Sequence, residues 1–251
     1  MNLSISRGSF TAVIGPNGSG KSTLARQING LLLPSSGTVT VEGMETGNAL
    51  LIPEIRRRVG FVFQNPDNQL AGTTVEEDIA FGPENIGMEP SAIRESVQYA
   101  MAVAGLAGLA GRPPHTLSGG QKQQLAIAGA VAMKTECLVL DEPTSMIGPA
   151  GKRSVLALLV RLKKELGMTV ILVTHSMEEA VSADRILVVD RGRIIMDGAP
   201  AEVFRRREAL TGMGLEVPGP TELAFRLRER GVPLPDPVLS VDELVIFLCR
   251  L

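Results

Sequence analysis

The stretch Gly15-Pro16-Asn17-Gly18-Ser19-Gly20-Lys21-Ser22 constrains this chain more than any other. It fills every fixed position of a phosphate-binding loop, G-x-x-x-x-G-K-[ST]. With glycine at ordinary abundance, a chance match in a chain this long occurs roughly one time in a hundred. The flanks agree with the motif. An apolar run at residues 10–14 reads as a strand, and residues 21–32 carry a helical pattern. Glycines let backbone N–H groups turn inward around phosphate oxygens, and the following helix points its positive end at the same place. Lys21 offers a mobile charge to the β- and γ-phosphates of ATP, Ser22 offers a hydroxyl to Mg2+, and Thr23 completes the nucleotide-binding stretch. The expected fold class is α/β with a parallel-sheet core.

The rest of the chain supports that class. Residues 33–37 read as a turn, 38–41 as a strand, 43–47 as another turn, and 59–63 as a β-rich run after Arg56-Arg57-Arg58. Residues about 65–133 read as a mostly helical insert. Thr73 with Glu76 and Thr74 with Glu77 both have capping-box spacing. Helical patterns then cover 90–109 and 121–133. Alternation returns with a strand at 137–140, a helix at 151–166 closed by Gly167, and a strand at 169–174. A helix capped by Ser176 with Glu179 follows, then a hairpin or two edge strands at 186–190 and 193–196. Strand, helix, strand in this order implies parallel neighbours joined by right-handed crossovers. After Gly214 the composition shifts towards Pro and Arg, with helices at 221–230 and 241–251, the second capped by Ser240 with Glu243. The expected organisation is one domain over residues 1–213 and a small module over 214–251.

Composition narrows the function. The 251 residues are 44% hydrophobic and 21% charged, which suits a packed core. Lys and Arg number 25 against 27 Asp and Glu, for a net charge of −2. A nucleic-acid binder usually shows a basic excess, so no nucleic-acid partner is expected. No apolar run approaches the roughly 18–20 residues that span a bilayer. Two distant cysteines, Cys137 and Cys249, exclude a disulfide-rich fold and a CxxC site. The expected compartment is the cytosol, with any membrane role peripheral.

Further residues extend the phosphate loop into a site. Residues 137–142 form an apolar strand ending in Asp141 and Glu142, and ligands sit beyond such ends in parallel sheets. Asp141 is placed to hold Mg2+, and Glu142 to polarise an attacking water. Leu117-Ser118-Gly119-Gly120-Gln121 opens a helix, as an ordinary N-cap or as a second anion-binding end. Gln64 and His175 each end a strand, at the same expected edge. His115 lies in a proline-rich turn and reads as structural.

These elements, in this order, resemble the ATP-binding subunit of ABC transporters over nearly the whole chain. The resemblance makes residues 117–121 the signature motif, Gln64 the Q-loop residue and His175 the switch histidine. It implies that Gln64 joins Ser22 and Asp141 around Mg2+, and that Glu142, His175 and Gln64 are catalytic. It also implies two subunits packed head to tail, with each signature helix aimed at the γ-phosphate held by the other. The helical insert would contact membrane subunits. Residues 63–69, 76–85, 144–146 and 217–224 are similar to the narrower energy-coupling factor group, which includes cobalt, nickel and vitamin importers.

Three departures stand out. The resemblance implies an adenine-stacking aromatic upstream of the loop. Only 14 residues precede Gly15, and their one aromatic, Phe10, is expected in the core. Gly148 replaces the D-loop aspartate, and Gln124 stands where an arginine is common. The expected function is ATP hydrolysis that powers micronutrient uptake, of a vitamin or a transition-metal ion such as cobalt. It would take place at the cytoplasmic face of the membrane. The expected partners are a second, non-identical ATPase, an integral membrane coupling subunit and a substrate-binding membrane subunit. The tail helices, with Leu223, Leu227, Leu244 and Leu248 exposed, would either pack tail against tail and hold the ATPase pair together or pack onto their own domain. The alternative is a weakly active, nucleotide-binding regulatory partner.

Overall fold

The computed structural model describes residues 1–250. β1 (Phe10–Ile14) leads through the phosphate loop into α1 (Lys21–Ile28). α1 stops before its apolar pattern does, because Gly30 turns the chain at φ +68°, where an added Cβ would sit 2.3 Å from Ile52. The strand expected at 38–41 shortens to β2 (Thr40–Val41), and it pairs antiparallel with β3 (Met44–Glu45), which lies within the expected turn. Arg56, Arg57 and Arg58 end a helix that the sequence reading lacks, α2 (Ile52–Arg58). A proline in its first turn and three cations in its last suit the two ends of a helix.

After β4 (Val59–Val62), a 3-10 turn at Pro66–Asn68 opens the helical segment. α3 (Val75–Asn85) is capped by Thr74, whose hydroxyl accepts from the Glu77 N–H at 3.2 Å. Thr73 instead donates its hydroxyl to the Glu77 carboxylate. α4 (Pro90–Ala104) ends at Gly105 in the left-handed conformation, short of the expected limit at 109. α5 (Gly119–Ala132) and β5 (Cys137–Asp141) follow, then α6 (Pro149–Leu166), closed by Gly167 as expected. Next come β6 (Thr169–Val173) and α7 (Met177–Ala180). The expected Ser176–Glu179 cap does not form. Glu179 is buried and takes a 2.7 Å hydrogen bond from the Thr174 hydroxyl instead. The chain ends with β7 (Arg185–Asp190), β8 (Arg193–Gly198), α8 (Pro200–Phe204), α9 (Arg207–Gly212), α10 (Gly219–Glu229) and α11 (Val241–Leu248). Leu251, the last residue of the expected 241–251 helix, lies outside the described residues. Among the described residues, no helix is long and apolar enough to cross a membrane.

Two compact units emerge, one of residues 1–5, 10–21 and 172–251, the other of residues 6–9 and 22–171. In the first the strand order is β6-β1-β7-β8. β1 runs parallel to β7, with Thr11 opposite Arg185 and Ile14 opposite Val188, and β7 runs antiparallel to β8. β1 is buried along its whole length, so it reads as a continuous apolar run rather than an alternating one. Phe10 is 1% exposed and packs in the core. In the second unit the order is β4-β5-β6, with β4 parallel to β5 from Val59 opposite Cys137 to Val62 opposite Leu140. There α3, α4 and α5 pack on one another, which is the helical insert that the sequence announces.

The tail helices close on a small core of their own. Ala224, Leu234, Val238 and Leu244 are buried together, with Leu227, Val232 and Phe247 against them. Leu227 and Leu244, expected on the surface, therefore pack within their own chain, the second of the two expected arrangements, while Leu223 and Leu248 stay exposed. Glu222 ties α9 to α10. Its carboxylate accepts from Arg207 Nε at 2.6 Å and Nη2 at 3.1 Å, and from Arg226 Nε at 2.8 Å. These guanidinium groups pull the Glu222 carboxyl down to about 2, from 4.5. A depressed carboxyl stabilises the fold above its unfolded value, and that stabilisation is lost as pH falls from about 4.5 towards 2. Glu222→Gln should cost about 1 kcal/mol at pH 7 after solvent screening. Urea titrations of both proteins should show the gap closing below pH 4.5; a gap independent of pH would contradict this.

Candidate active site

The phosphate loop owes its shape to close approaches that only glycine permits. At Gly15 a Cβ would fall 2.0 Å from the Val189 carbonyl oxygen and 2.9 Å from Ser19 Oγ. Gly18 and Gly20 hold φ of +76° and +103°, where side-chain-bearing residues are strained. The loop closes through the Ser19 N–H to the Pro16 carbonyl at 3.2 Å, and is braced by the Gly192 N–H on the Ser19 carbonyl at 2.8 Å. Asn17 and Gly18 are exposed at its tip. Lys21 is only 5% exposed, and its Nζ donates to the carbonyls of Gly15 at 2.9 Å and Pro16 at 3.1 Å. A buried ammonium is thus folded over the loop, where an incoming phosphate would find it.

In the same unit, His175 lies two residues after the end of β6 and is exposed. The turn that carries it is held by Thr174. That hydroxyl donates to Glu179 and accepts from the Ser176 N–H at 3.0 Å.

The other unit gathers Ser22, Gln64, Asp141 and Glu142. Ser22 Oγ donates to Asp141 Oδ1 at 2.8 Å, and Asp141 is 4% exposed. A hydroxyl and a carboxylate are hard oxygen donors that suit Mg2+, so this pair fits the metal that the motif implies. Glu142 is in the left-handed conformation at φ +50°, an uncommon state for a residue with a long side chain. The Ser145 hydroxyl donates to the Glu142 carbonyl at 3.0 Å. Gln64 reaches across with Nε2 3.1 Å from Ser145 Oγ and 3.4 Å from Glu142 Oε2. The structure therefore joins Gln64 to Glu142 and Ser145, and joins Ser22 to Asp141.

Residues 117–121 form the helix start that the sequence implies. Ser118 Oγ accepts from the Gln121 N–H at 3.4 Å, and Gln121 Oε1 accepts from the Ser118 N–H at 2.9 Å. This reciprocal cap satisfies the N–H groups of Ser118 and Gln121 at the start of α5. The two glycines have a packing reason as well. A Cβ on Gly119 would meet Ile147 at 2.9 Å, and one on Gly120 would meet the Gly151 Cα at 2.8 Å. α5 thus crosses the start of α6 backbone to backbone. Leu117 is buried beside them. Gly148 is the N-cap of α6 without a side-chain cap, and a Cβ there would meet nothing within 4 Å.

Three residues of this unit were missing from the sequence reading. Ser145 and Gly151 gave no local signal, because their roles come from distant partners. Arg26 could have been found. It lies four residues after Ser22 on α1, so the two share a face, and its Nη2 is 3.6 Å from Asp141 Oδ2.

Comparison with known proteins places this geometry. A family model described as ABC transporter matches residues 1–145. The energy-coupling factor transporter ATP-binding protein EcfA1 of Caldanaerobacter subterraneus subsp. tengcongensis is 52% identical over 250 residues, covering 100% of this chain and 90% of its own. The protein of the same name from Symbiobacterium thermophilum is 52% identical over 251 residues, covering 100% and 88%. Among solved structures, cbiO1 from Clostridium perfringens, described as part of the ABC transporter complex cbiONQ, has a TM-score of 0.78 at 38% identity, over 92% of this chain and 89% of that one. The ATP-binding cassette MJ0796, a dimer in a post-hydrolysis state bound to ADP and Pi, has a TM-score of 0.71 at 31% identity, over 79% and 88%. The chain belongs to the ABC transporter family, as an ATPase of its energy-coupling factor group.

Proposed function

We propose that this chain hydrolyses ATP at the cytoplasmic face of a membrane to power uptake of a micronutrient, a vitamin or a transition-metal ion such as cobalt. The single observation that carries the chemistry is the 2.8 Å bond between Ser22 and Asp141. It sets the residue after the phosphate-loop lysine against the carboxylate that ends β5. The likeness to cbiO1, described as part of the ABC transporter complex cbiONQ, and the EcfA1 relatives support the energy-coupling role.

In this reading the loop N–H groups bind the β-phosphate, and Lys21 turns from its two carbonyls to the β- and γ-phosphates. Ser22, Asp141 and Gln64 would hold Mg2+, which would supply positive charge to the nucleotide's phosphates. Among the described residues no group of three or more His, Cys, Asp or Glu could hold a metal. Nucleotide oxygens and water would therefore complete its shell. Glu142 orients the attacking water and draws on its proton, while the Gln64 amide beside it fixes the carboxylate. His175 donates to the γ-phosphate. Ser118 to Gln121 of a second subunit close over the same phosphate with a helix N-terminus. Loss of the γ-phosphate removes the bridge, and the pair opens.

Glu142→Gln should keep ATP binding, lower hydrolysis by about a hundredfold or more, and trap a closed pair. Lys21→Ala should weaken nucleotide binding itself. Turnover and binding assays on the purified chain with its partners check both. Parental turnover in Glu142→Gln would remove Glu142 from its role.

The partner is a second, non-identical ATPase, docked with this chain on a membrane coupling subunit that also serves a substrate-binding membrane subunit. Gly148 supports this reading. Packing does not require glycine there, so a carboxylate could be accommodated, and a different partner can retain one. Co-expression with a second ATPase of the group should give a 1:1 pair with uptake activity in vesicles. Full uptake from complexes holding two copies of this chain would overturn the heterodimer.

A further inference from the structure

Asp141 has partners on both of its oxygens, and the reaction above uses only one of them. Ser22 donates to Oδ1 at 2.8 Å. Arg26 Nη2 lies 3.6 Å from Oδ2. The two donors are one helical turn apart on α1, so helix geometry presents them to the same carboxylate. The Asp141 side chain is 6% exposed and that of Arg26 is 46% exposed. A guanidinium carries its charge at every working pH. It reaches in from the surface onto a carboxylate assigned to a divalent cation, and two cations then compete for one negative charge.

We propose that Arg26 is a positioning residue that sets the strength with which the site takes its divalent cation. Before the cation arrives, Arg26 anchors the Asp141 carboxylate and offsets its charge. Once the cation is bound, the guanidinium opposes it at short range. The inference rests on the reading of Asp141 and Ser22 as Mg2+ ligands. Because Arg26 is nearly half exposed, water and salt screen the repulsion and its size is modest. A purely structural ion pair predicts the reverse. Without its anchor the carboxylate would turn away, and cation binding would weaken.

The test needs no turnover. Calorimetry gives the affinity of the full chain for a non-hydrolysable ATP analogue, once with saturating Mg2+ and once with a chelator. The ratio is the metal's contribution, and direct effects on the nucleotide cancel in it. Arg26→Gln, and Arg26→Met which keeps the apolar stem, should raise this ratio by about three- to tenfold at low ionic strength. The gain should shrink as salt is added. Arg26→Lys keeps the charge and should stay near the parental ratio. Asp141→Asn separates the two readings, since it should bring the ratio close to one. If Asp141→Asn keeps the parental ratio, the ligand assignment fails and this inference falls with it. If Asp141→Asn collapses the ratio but Arg26→Gln and Arg26→Met leave it unchanged or lower, the role of Arg26 alone is overturned. Circular dichroism confirms that the variants are folded, and either neutral variant that folds is sufficient to decide.

Discussion

A carboxylate taken out of water must be satisfied by the protein, and at Asp141 this requirement organises the second unit. An unpaired buried charge costs far more than one hydrogen bond returns. Asp141 meets the requirement with a hydroxyl on one oxygen and a guanidinium near the other. Both donors come from one helix, whose start is set by the phosphate loop. Moving α1 by a turn would strip both partners from the acid. The same contacts that make the buried end of β5 tolerable thus arrange the hard oxygen donors that a magnesium nucleotide needs.

Close backbone approaches do the rest of the positioning. Gly15 clears the Val189 carbonyl, and Gly120 clears Gly151. Each is a place where a single methyl group would force backbone apart, and backbone yields far less than a flexible side chain. The first keeps the loop tight around its anion site. The second seats the N-terminus of α5 against the start of α6, next to Gly148. Through Gly119 against Ile147, the same end of α5 also touches the loop that follows Glu142.

Among the described non-glycine residues, Glu42, Lys134, Glu142 and Arg191 have a positive φ, and Glu142 is the one beside Asp141. Glu142 adopts a left-handed backbone between a buried aspartate and Pro143, with Ser145 bonded to its carbonyl. Such a conformation costs on the order of 1–3 kcal/mol and persists only where the surroundings over-determine it. Here it turns the chain sharply at the end of β5 and leaves the carboxylate beside the Gln64 amide. Asp141 and Glu142, adjacent in sequence and alike in chemistry, therefore meet different partners.

Short runs of sequence determined a good deal of this protein. Glycine spacing and Lys21 announced the loop, the largely apolar run at residues 10–14 announced β1, and Ser118 with Gln121 announced the cap of α5. Each is a local property of φ freedom, side-chain period or capping chemistry, legible without knowing what packs nearby. The family resemblance then drew Gln64 and His175 into one scheme. What the tertiary structure decided were the cases where equal residues differ only in their neighbours. α2 was missed because only Ile55 of its seven residues is buried, so its pattern carries little periodic signal. Ser176 offered the spacing of a cap, yet its hydroxyl donates to Glu178, and the buried Glu179 takes its hydrogen bond from Thr174. Leu244 and Leu248 are the same residue one turn apart, and only the first meets Ala224, Leu234 and Val238. Arg26 is an ordinary helix residue in the sequence. It acquires a function only because folding brings a strand from more than a hundred residues away to its side, and a Coulomb interaction depends on distance in space rather than along the chain.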